Sequence, residues 1–414
     1  MPFLRKIFFY TFAAIYLIVC PLLILRLLGF IYNPQEHRFV KTGIIYISTN
    51  PPEANVYIND LKAPETSPTI IRDLTAGNYT ITLELNGYQS WKNTIPVVAR
   101  KATVLENILL TPPQWLVRPL SNLTFENLLP LGDENSLLIW RKKTIKDLYL
   151  LRLNKTSSED INKQTEASLI LKLFPQEFIY SDAQILRFFT VEKSPFFIIH
   201  ILVESKDKYL WVDSRDKQVH IEDISDLLPI EPDKLWWEAG DDKIIYVFYT
   251  NQVNRIDIKA KAIYPDIKPK DIPTPRKPSL NLSDIKGILG EENKNLWPIF
   301  TANKIGLWDN SQKSLQWLFQ KGHNIQQVFW ANNAGTLLFR DEKDVFLLDT
   351  IIFGQMRMQK IINIRPDTSF FYSEKTGKLY FIEAQENLLS IIQFLHHAPL
   401  TSKIIAEKLR LQEL

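Results

Sequence analysis

Six histidines are the first residues to weigh for chemistry: His37, His200, His220, His323, His396 and His397. No pair has metal-ligand spacing with a nearby acid, as H-E-x-x-H would require. The stretch "FFIIHILVE" sets His200 in an apolar strand, where a hydrogen-bonded core histidine is expected rather than a ligand. His396 and His397 follow the last strand-like run and read as surface. There is no G-x-S-x-G, no phosphate-binding loop and no G-x-G-x-x-G. "DSRDK" from Asp213 and "DEKD" from Asp341 are acidic loops that lack the alternating ligands of a calcium loop. The only cysteine, Cys20, is followed by "PLLIL" and reads as an apolar thiol. The rest of the chain therefore holds no internal disulfide, thiolate zinc site or cysteine nucleophile. The sequence supplies no catalytic motif and implies no metal and no cofactor. Acids are plentiful on turns, so a carboxylate pair facing a shared cavity stays open as a route to hydrolysis.

Two features point to binding rather than reaction. "PDIKPKDIPTPRKP" places Pro265, Lys268, Lys270, Arg276 and Lys277 in a proline-stiffened basic segment. It reads as a solvated loop between structural units, or as a docking strip for an acidic partner. The second feature is the set Trp236, Trp237, Trp297, Trp308, Trp317 and Trp330. Most of these indoles are expected in the core, with some free to stack on sugars.

The elements that must position these residues are legible in outline. A chain of 414 residues exceeds one ordinary core, so two or more domains are expected. Its net charge of +3 lacks the basic footprint of a nucleic-acid binder, and no nucleic-acid partner is expected. Ile7 to Leu25 carries no charge and, as a helix, spans about 28 Å, near the roughly 30 Å hydrocarbon thickness of a bilayer. Arg5 and Lys6 before it favour a cytoplasmic N-terminus. No small-x-small site follows, so a retained single-pass anchor is preferred to a cleaved signal peptide.

From Gly43 the chain turns to short alternating strands. "GIIYIS", a double-proline turn at Pro51–Pro52 and "NVYIN" follow one another. "YTITLEL" places Ile81, Leu83 and Leu85 on one face, and Asn86-Gly87 signals a hairpin. "ATVLENILL" closes the unit before the break at Thr111–Pro113. These residues resemble the PEGA domain, with Ser48, Pro51 and Ala54 in the name motif and Val56 to Asn59 in the strand after it. "SPT" at Ser67 to Thr69, "AGNYTITL" from Ala76 and Gly87-Tyr88 also match. Glu53 and Asp60 stand where the family has glycine. The resemblance implies a small extracytoplasmic β-sandwich, mostly a spacer associated with sugars or surfaces, without activity. The double-proline stretch is expected to be the tight turn of the module's first hairpin.

The remainder repeats a pattern of strand, polar turn, long apolar strand, short turn and strand. Third strands should end near Asn154, Asp213, Lys259, Asp309, Asp349 and Phe394, a period of about 40–50 residues that marks a propeller. "WANNAGTLLF" resembles the repeat signature of Tol-system and WD-repeat β-propellers. A tandem of β-sandwiches is the rival architecture. Trp115 to Leu120 is expected to pair in the same sheet as Leu388 to Leu395, which would shut the ring.

The expected fold is therefore all-β. A cytoplasmic tail and transmembrane helix (1–32) and a linker (33–42) precede a PEGA-like β-sandwich (43–111). A β-propeller of about six blades (114–395) and a C-terminal tail (396–414) follow. The expected function is a non-enzymatic, membrane-anchored, extracytoplasmic binding or scaffold protein of the bacterial cell envelope. Its partner would be an envelope protein or a polysaccharide. The alternative is a membrane-tethered hydrolase or lyase with its site in the propeller funnel.

Overall fold

The computed structural model describes residues 2–27, 29–34, 37–132, 136–153, 170–175, 177–190, 194–215, 219–238, 241–250, 252–267, 285–288, 295–320, 324–331, 335–351, 353–354 and 356–394. It is mostly β, with one α-helix at the N-terminus. That helix, α1, runs Pro2–Leu27, and its stretch Phe8–Arg26 has a mean hydropathy of 2.4 with none of it buried inside the protein. It is long and apolar enough to cross a membrane. Pro21 lies within it, as membrane helices tolerate.

Eight strands follow: β1 (Phe30–Asn33), β2 (Arg38–Asn50), β3 (Asn55–Ile58), β4 (Leu61–Thr66), β5 (Thr69–Thr75), β6 (Gly77–Glu84), β7 (Trp91–Val97) and β8 (Ala102–Leu109). In one sheet β2 pairs antiparallel with β1 and β5 and parallel with β8. The other sheet runs β4-β3-β6-β7. The alternation seen in the sequence buries Ile45, Ile47, Val56, Ile81, Leu83, Trp91, Ile95 and Leu105 in one core, with Leu85 packed at its margin.

Two expectations fail here. The segment 33–42 is not a linker, because β1 ends at Asn33 and β2 begins at Arg38, so most of it belongs to a hairpin. The double-proline stretch is not a hairpin turn either. β2 and β3 belong to different sheets, so Pro51 and Pro52 carry the chain across the sandwich. Alternation within each strand cannot reveal this, since it fixes which face is buried and not which sheet a strand joins. The hairpin that follows the crossing is β3–β4, turned by Asn59 and Asp60, both left-handed at φ 47° and 67°. The Asn86-Gly87 hairpin is present as β6–β7, with Leu83 opposite Trp91 and Gly87 at φ 84°.

From β9 (Val117–Thr124) onward the chain forms six four-stranded antiparallel sheets, each open, the first five in simple up-down order. Sheet I takes Asn127–Pro130, Ser136–Trp140, Leu148–Arg152 and Ile170–Lys172. Sheet II takes Gln184–Thr190, Phe196–Val203, Lys206–Asp213 and His220–Asp223. Sheet III takes Lys234–Glu238, Asp241–Tyr249, Gln252–Asp257 and Ala262–Tyr264. Sheet IV takes Gly287–Ile288, Leu296–Phe300, Lys304–Asp309 and Ser314–Gln320. Sheet V takes Gln327–Ala331, Thr336–Arg340, Asp344–Asp349 and Met358–Asn363. Sheet VI takes Phe371–Ser373, Lys378–Ile382 and Leu388–Gln393, and β9 supplies its fourth strand. The expected pairing across the chain is thus present, with Leu388 opposite Thr124 and Ile392 opposite Val117.

Second strands such as Ser136–Trp140 and Thr336–Arg340 are buried at every residue, which is why they read as continuous apolar runs rather than alternating ones. Apolar clusters join sheet I to II, II to III, IV to V, V to VI, and VI back to I. In the last of these, Leu128, Leu137 and Ile139 of the first sheet meet Tyr380, Ile382 and Leu389 of the last.

Candidate functional site

Alternate turns of an antiparallel sheet lie at opposite ends, so each of the six sheets has two loop edges. On sheet V these edges have different occupants. At one end the turns around Gly335 and Asp349–Arg357 meet the small domain. The Trp91 indole of β7 donates to Asp349 Oδ2 at 3.0 Å, and Arg357 Nη2 donates to the Leu109 carbonyl of β8 at 2.6 Å. Arg357 also pairs with Asp349 at 3.3 Å. Asn93 Nδ2 donates to the Phe353 carbonyl at 2.8 Å. Gly335 and Gly354 are needed for this approach: a Cβ on the first would sit 2.5 Å from the Asn107 carbonyl, and one on the second would overlap Asn93. Burial pushes the Asp349 carboxyl above its ordinary value, and Arg357 and the Trp91 indole only partly pull it back.

The opposite edge carries a cavity of about 640 Å³, lined by Glu126, Asn127, Trp140, Lys143, Arg365, Pro366 and Asp367. Arg365–Asp367 follow the last strand of sheet V, and Glu126 and Asn127 open sheet I. Trp140 and Lys143 come from the end and turn of sheet I's second strand. Asn127 is the clip that assembles them. Its Oδ1 accepts from the Leu128 and Ser369 amides, both at 2.8 Å, and its Nδ2 donates to the Asp367 carbonyl at 3.1 Å. The Thr368 hydroxyl closes the turn on the Arg365 carbonyl at 2.7 Å, with Asp367 left-handed at φ 61°. Beneath it, buried Arg340 donates to the Glu342 carbonyl at 2.8 Å. Burial draws that guanidinium below its ordinary value, against the pull of Asp367 and Asp341. Trp140 packs on Phe188 of sheet II at 5.2 Å between ring centres, which fixes the indole at the cavity wall. Amide–carbonyl bonds from Ile145 to Ala183 and from Ile185 to Lys143 hold the Lys143 turn.

The cavity offers an indole, a carboxamide, two carboxylates and two cations. Trp140 is itself buried, so the exposed Glu126, Lys143 and Asp367 and the half-buried Arg365 are the groups able to exchange hydrogen bonds with hydroxyl and charged groups. Among the described residues, no group of three or more His, Cys, Asp or Glu is arranged to hold a metal ion.

The residues singled out from sequence lie elsewhere. Of the basic proline-rich segment, Pro265 is exposed just after sheet III's last strand, while Lys268, Lys270, Arg276 and Lys277 lie outside the described residues. His323, His396 and His397 lie outside them too. His200 is in the core as expected. It stacks on Tyr209 at 4.5 Å, and its Nε2 meets Asp207 Oδ1 at 2.8 Å. Its Nδ1 is not satisfied, standing 3.8 Å from Glu231 Oε1 without a hydrogen bond. Burial pushes the stacked Tyr209 hydroxyl up to about 12. Trp237 and Trp297 are buried, and Trp236, Trp308, Trp317 and Trp330 are half-buried. The acidic loops are paired: Arg215 binds Asp213 within its own loop at 2.7 Å, and Lys360 of sheet V's last strand binds Asp344 at 2.8 Å. The cavity indole, Trp140, is outside the set picked from sequence. Its signal is a tryptophan ending an apolar strand directly before the basic turn Arg141–Lys143.

Comparison with known proteins adds one assignment. Among curated proteins none matches the chain. Two solved structures align over much of it. One is the crystal structure of the mitotic checkpoint complex, at 10% identity and TM-score 0.38 over 67% of this chain and 94% of that one. The other is a functionally unknown protein from Desulfotomaculum acetoxidans DSM 771, at 11% identity and TM-score 0.30 over 76% of this chain and 88% of that one. Scores this low carry no inference about fold or activity. The family match is confined to the small domain: residues 42–111 match the PEGA domain.

Proposed function

We propose that this chain is a membrane-anchored, non-enzymatic binding protein of the bacterial cell envelope, and that its six sheets are the blades of a β-propeller. The ring reading is supported by the strand β9, which joins the first part of the repeat region to the last sheet, and by the packing of sheet VI on sheet I. In this reading α1 is a retained anchor and the PEGA-like domain is a spacer outside the cytoplasm. The observation that carries the function is the opposition of two edges on sheet V. The spacer is fixed to one end through Trp91, Asp349 and Arg357. The cavity forms at the other, beyond Met358–Asn363, a strand of about 20 Å. A protein held this way presents the cavity away from the spacer, toward a ligand in the envelope. Its exposed carboxylates and cation suit the hydroxyl and charged groups of a polysaccharide.

The test is capture of envelope polysaccharide by the purified full chain in detergent, with Lys143→Ala at the exposed cavity rim as the comparison. Loss of this charged hydrogen-bond donor should weaken capture about tenfold or more, because a hydrogen bond to a charged group is worth about 1.5–3 kcal/mol. Equal capture by the variant, or capture of protein alone, would overturn the polysaccharide reading. Shortening of the captured polymer would favour the tethered hydrolase instead.

A further inference from the structure

The two strands that follow α1 form a small hairpin with an unusual face. The register sets Phe30 opposite Lys41 and Tyr32 opposite Phe39. Since side chains alternate along a strand, these four residues share one face. Tyr32 and Phe39 meet edge to face at 5.5 Å, and the Lys41 ammonium lies 5.6 Å from the Phe30 ring centre. Tyr32 is 52% exposed and Phe39 42%, so the protein itself leaves this aromatic pair uncovered. On the other face, Ile31 and Val40 are half-buried.

The hairpin is held close to the end of the helix. Gly29, at φ 76°, donates its amide to the Arg26 carbonyl at 3.0 Å. The Thr42 amide and hydroxyl both bind the Gly29 carbonyl, at 2.8 and 3.1 Å. Arg26 reaches Asp73 of the small domain at 3.5 Å. Tyr32 is five residues beyond Leu27, a span of at most about 17 Å even when fully extended. A membrane helix that ends at Leu27 therefore puts the hairpin at the headgroup layer.

We propose that the hairpin Phe30–Lys41 is a foot that seats its aromatic face in the interface of an anionic phospholipid bilayer. The inference rests on the reading of α1 as a membrane anchor. Three aromatics on one face match the side chains that settle at the boundary between hydrocarbon and headgroups, with an apolar body and, for tyrosine, a polar tip. Arg26 is shared with Asp73, while Arg38 and Lys41 stand against the single acid Glu36 in the segment 30–41, which favours anionic headgroups. The occupant follows from continuity: the helix leads directly into the hairpin, so the nearest surface able to cover Tyr32 and Phe39 is the bilayer that α1 enters. The foot would fix the tilt of the PEGA-like domain instead of leaving it on a free stalk.

The test uses the full chain in vesicles of equal parts phosphatidylethanolamine and phosphatidylglycerol. A spin label on the native Cys20 reports the depth of the helix. Labels on Tyr32→Cys and Phe39→Cys, each in a Cys20→Ser background, report the hairpin, and Asp60→Cys gives the water reference. Each hairpin variant keeps the other aromatic. Accessibility to a nickel chelate on both sides of the bilayer should be several-fold lower at 32 and 39 than at 60, and lowest at 20. Water-like values at 32 and 39 with a protected Cys20 would overturn the foot and leave the anchor standing. A water-exposed Cys20 would remove the anchor and the foot together. Coupling between labels on two copies, without protection by lipid, would show that a second chain covers the face and would also overturn the proposal. Equal depth in phosphatidylcholine vesicles would overturn the preference for anionic lipid.

Discussion

Glu53 occupies a position where its side chain is a liability. It stands where the PEGA family has glycine, and its φ is 67°, in the left-handed region that L side chains avoid. Asp60 is in the same situation at the β3–β4 turn, also at φ 67°. The left-handed form costs about 1–2 kcal/mol for an ordinary residue, and glycine returns about 0.5–1 kcal/mol of that as lost chain entropy. Glu53→Gly should therefore stabilise the chain by about 0.5–1 kcal/mol in urea unfolding. Asp60→Gly should gain less, because aspartate tolerates this region better. A loss of stability in Glu53→Gly would show that this side chain does more than fill a turn. Asp349 allows a second test. Its carboxyl is raised above the ordinary 3.8 by burial, so the folded state holds its proton more tightly than the unfolded state. That contribution is fully present below the unfolded value and is lost as pH rises through the folded one. The wild type should therefore gain stability relative to Asp349→Asn as pH falls from about 7 toward 4. An unchanged difference across that range would mean the carboxyl is not desolvated at the domain contact.

Strands were the most legible element. The third strands of sheets I to VI end at Arg152, Asp213, Asp257, Asp309, Asp349 and Gln393, each within two residues of the position expected from the sequence. The reason is local: a buried strand is a continuous apolar run, and polar turns bound it. The run "SLQWLFQ" is likewise one strand, the fourth of sheet IV, from Ser314 to Gln320. The crossing at Pro51–Pro52 was not legible, because the choice between a hairpin and a change of sheet depends on contacts distant in sequence. Strand pairing also gives the prediction for this scale. Leu389, Ile391, Ile392 and Phe394 are buried against sheets I and V, and Leu388–Gln393 is the only described strand paired with β9. Deleting residues 388–414 should lower the melting temperature of the whole six-sheet body, on the order of 10 °C or more, and expose an edge that aggregates. Melting like the full-length chain would refute closure by this pairing.

At the scale of the molecule, the cavity was the least legible part. Glu126, Trp140, Lys143 and Arg365 come from the two ends of the repeat region and meet only because the last sheet packs on the first. No spacing along the chain encodes that meeting. The helix, the PEGA-like domain and the repeat of sheets were legible because each rests on local composition or period. Assembled, they give a chain with one apolar helix at its start, a small domain clamped to one edge of sheet V, and a cavity at the other edge. The central claim is that this cavity is held outside the cytoplasm. It is tested most directly with a cysteine at the cavity rim, Asp367→Cys in a Cys20→Ser background, in spheroplasts exposed to a membrane-impermeant maleimide. The account predicts labelling while the membrane is intact. Labelling only after lysis would place the cavity in the cytoplasm and contradict it.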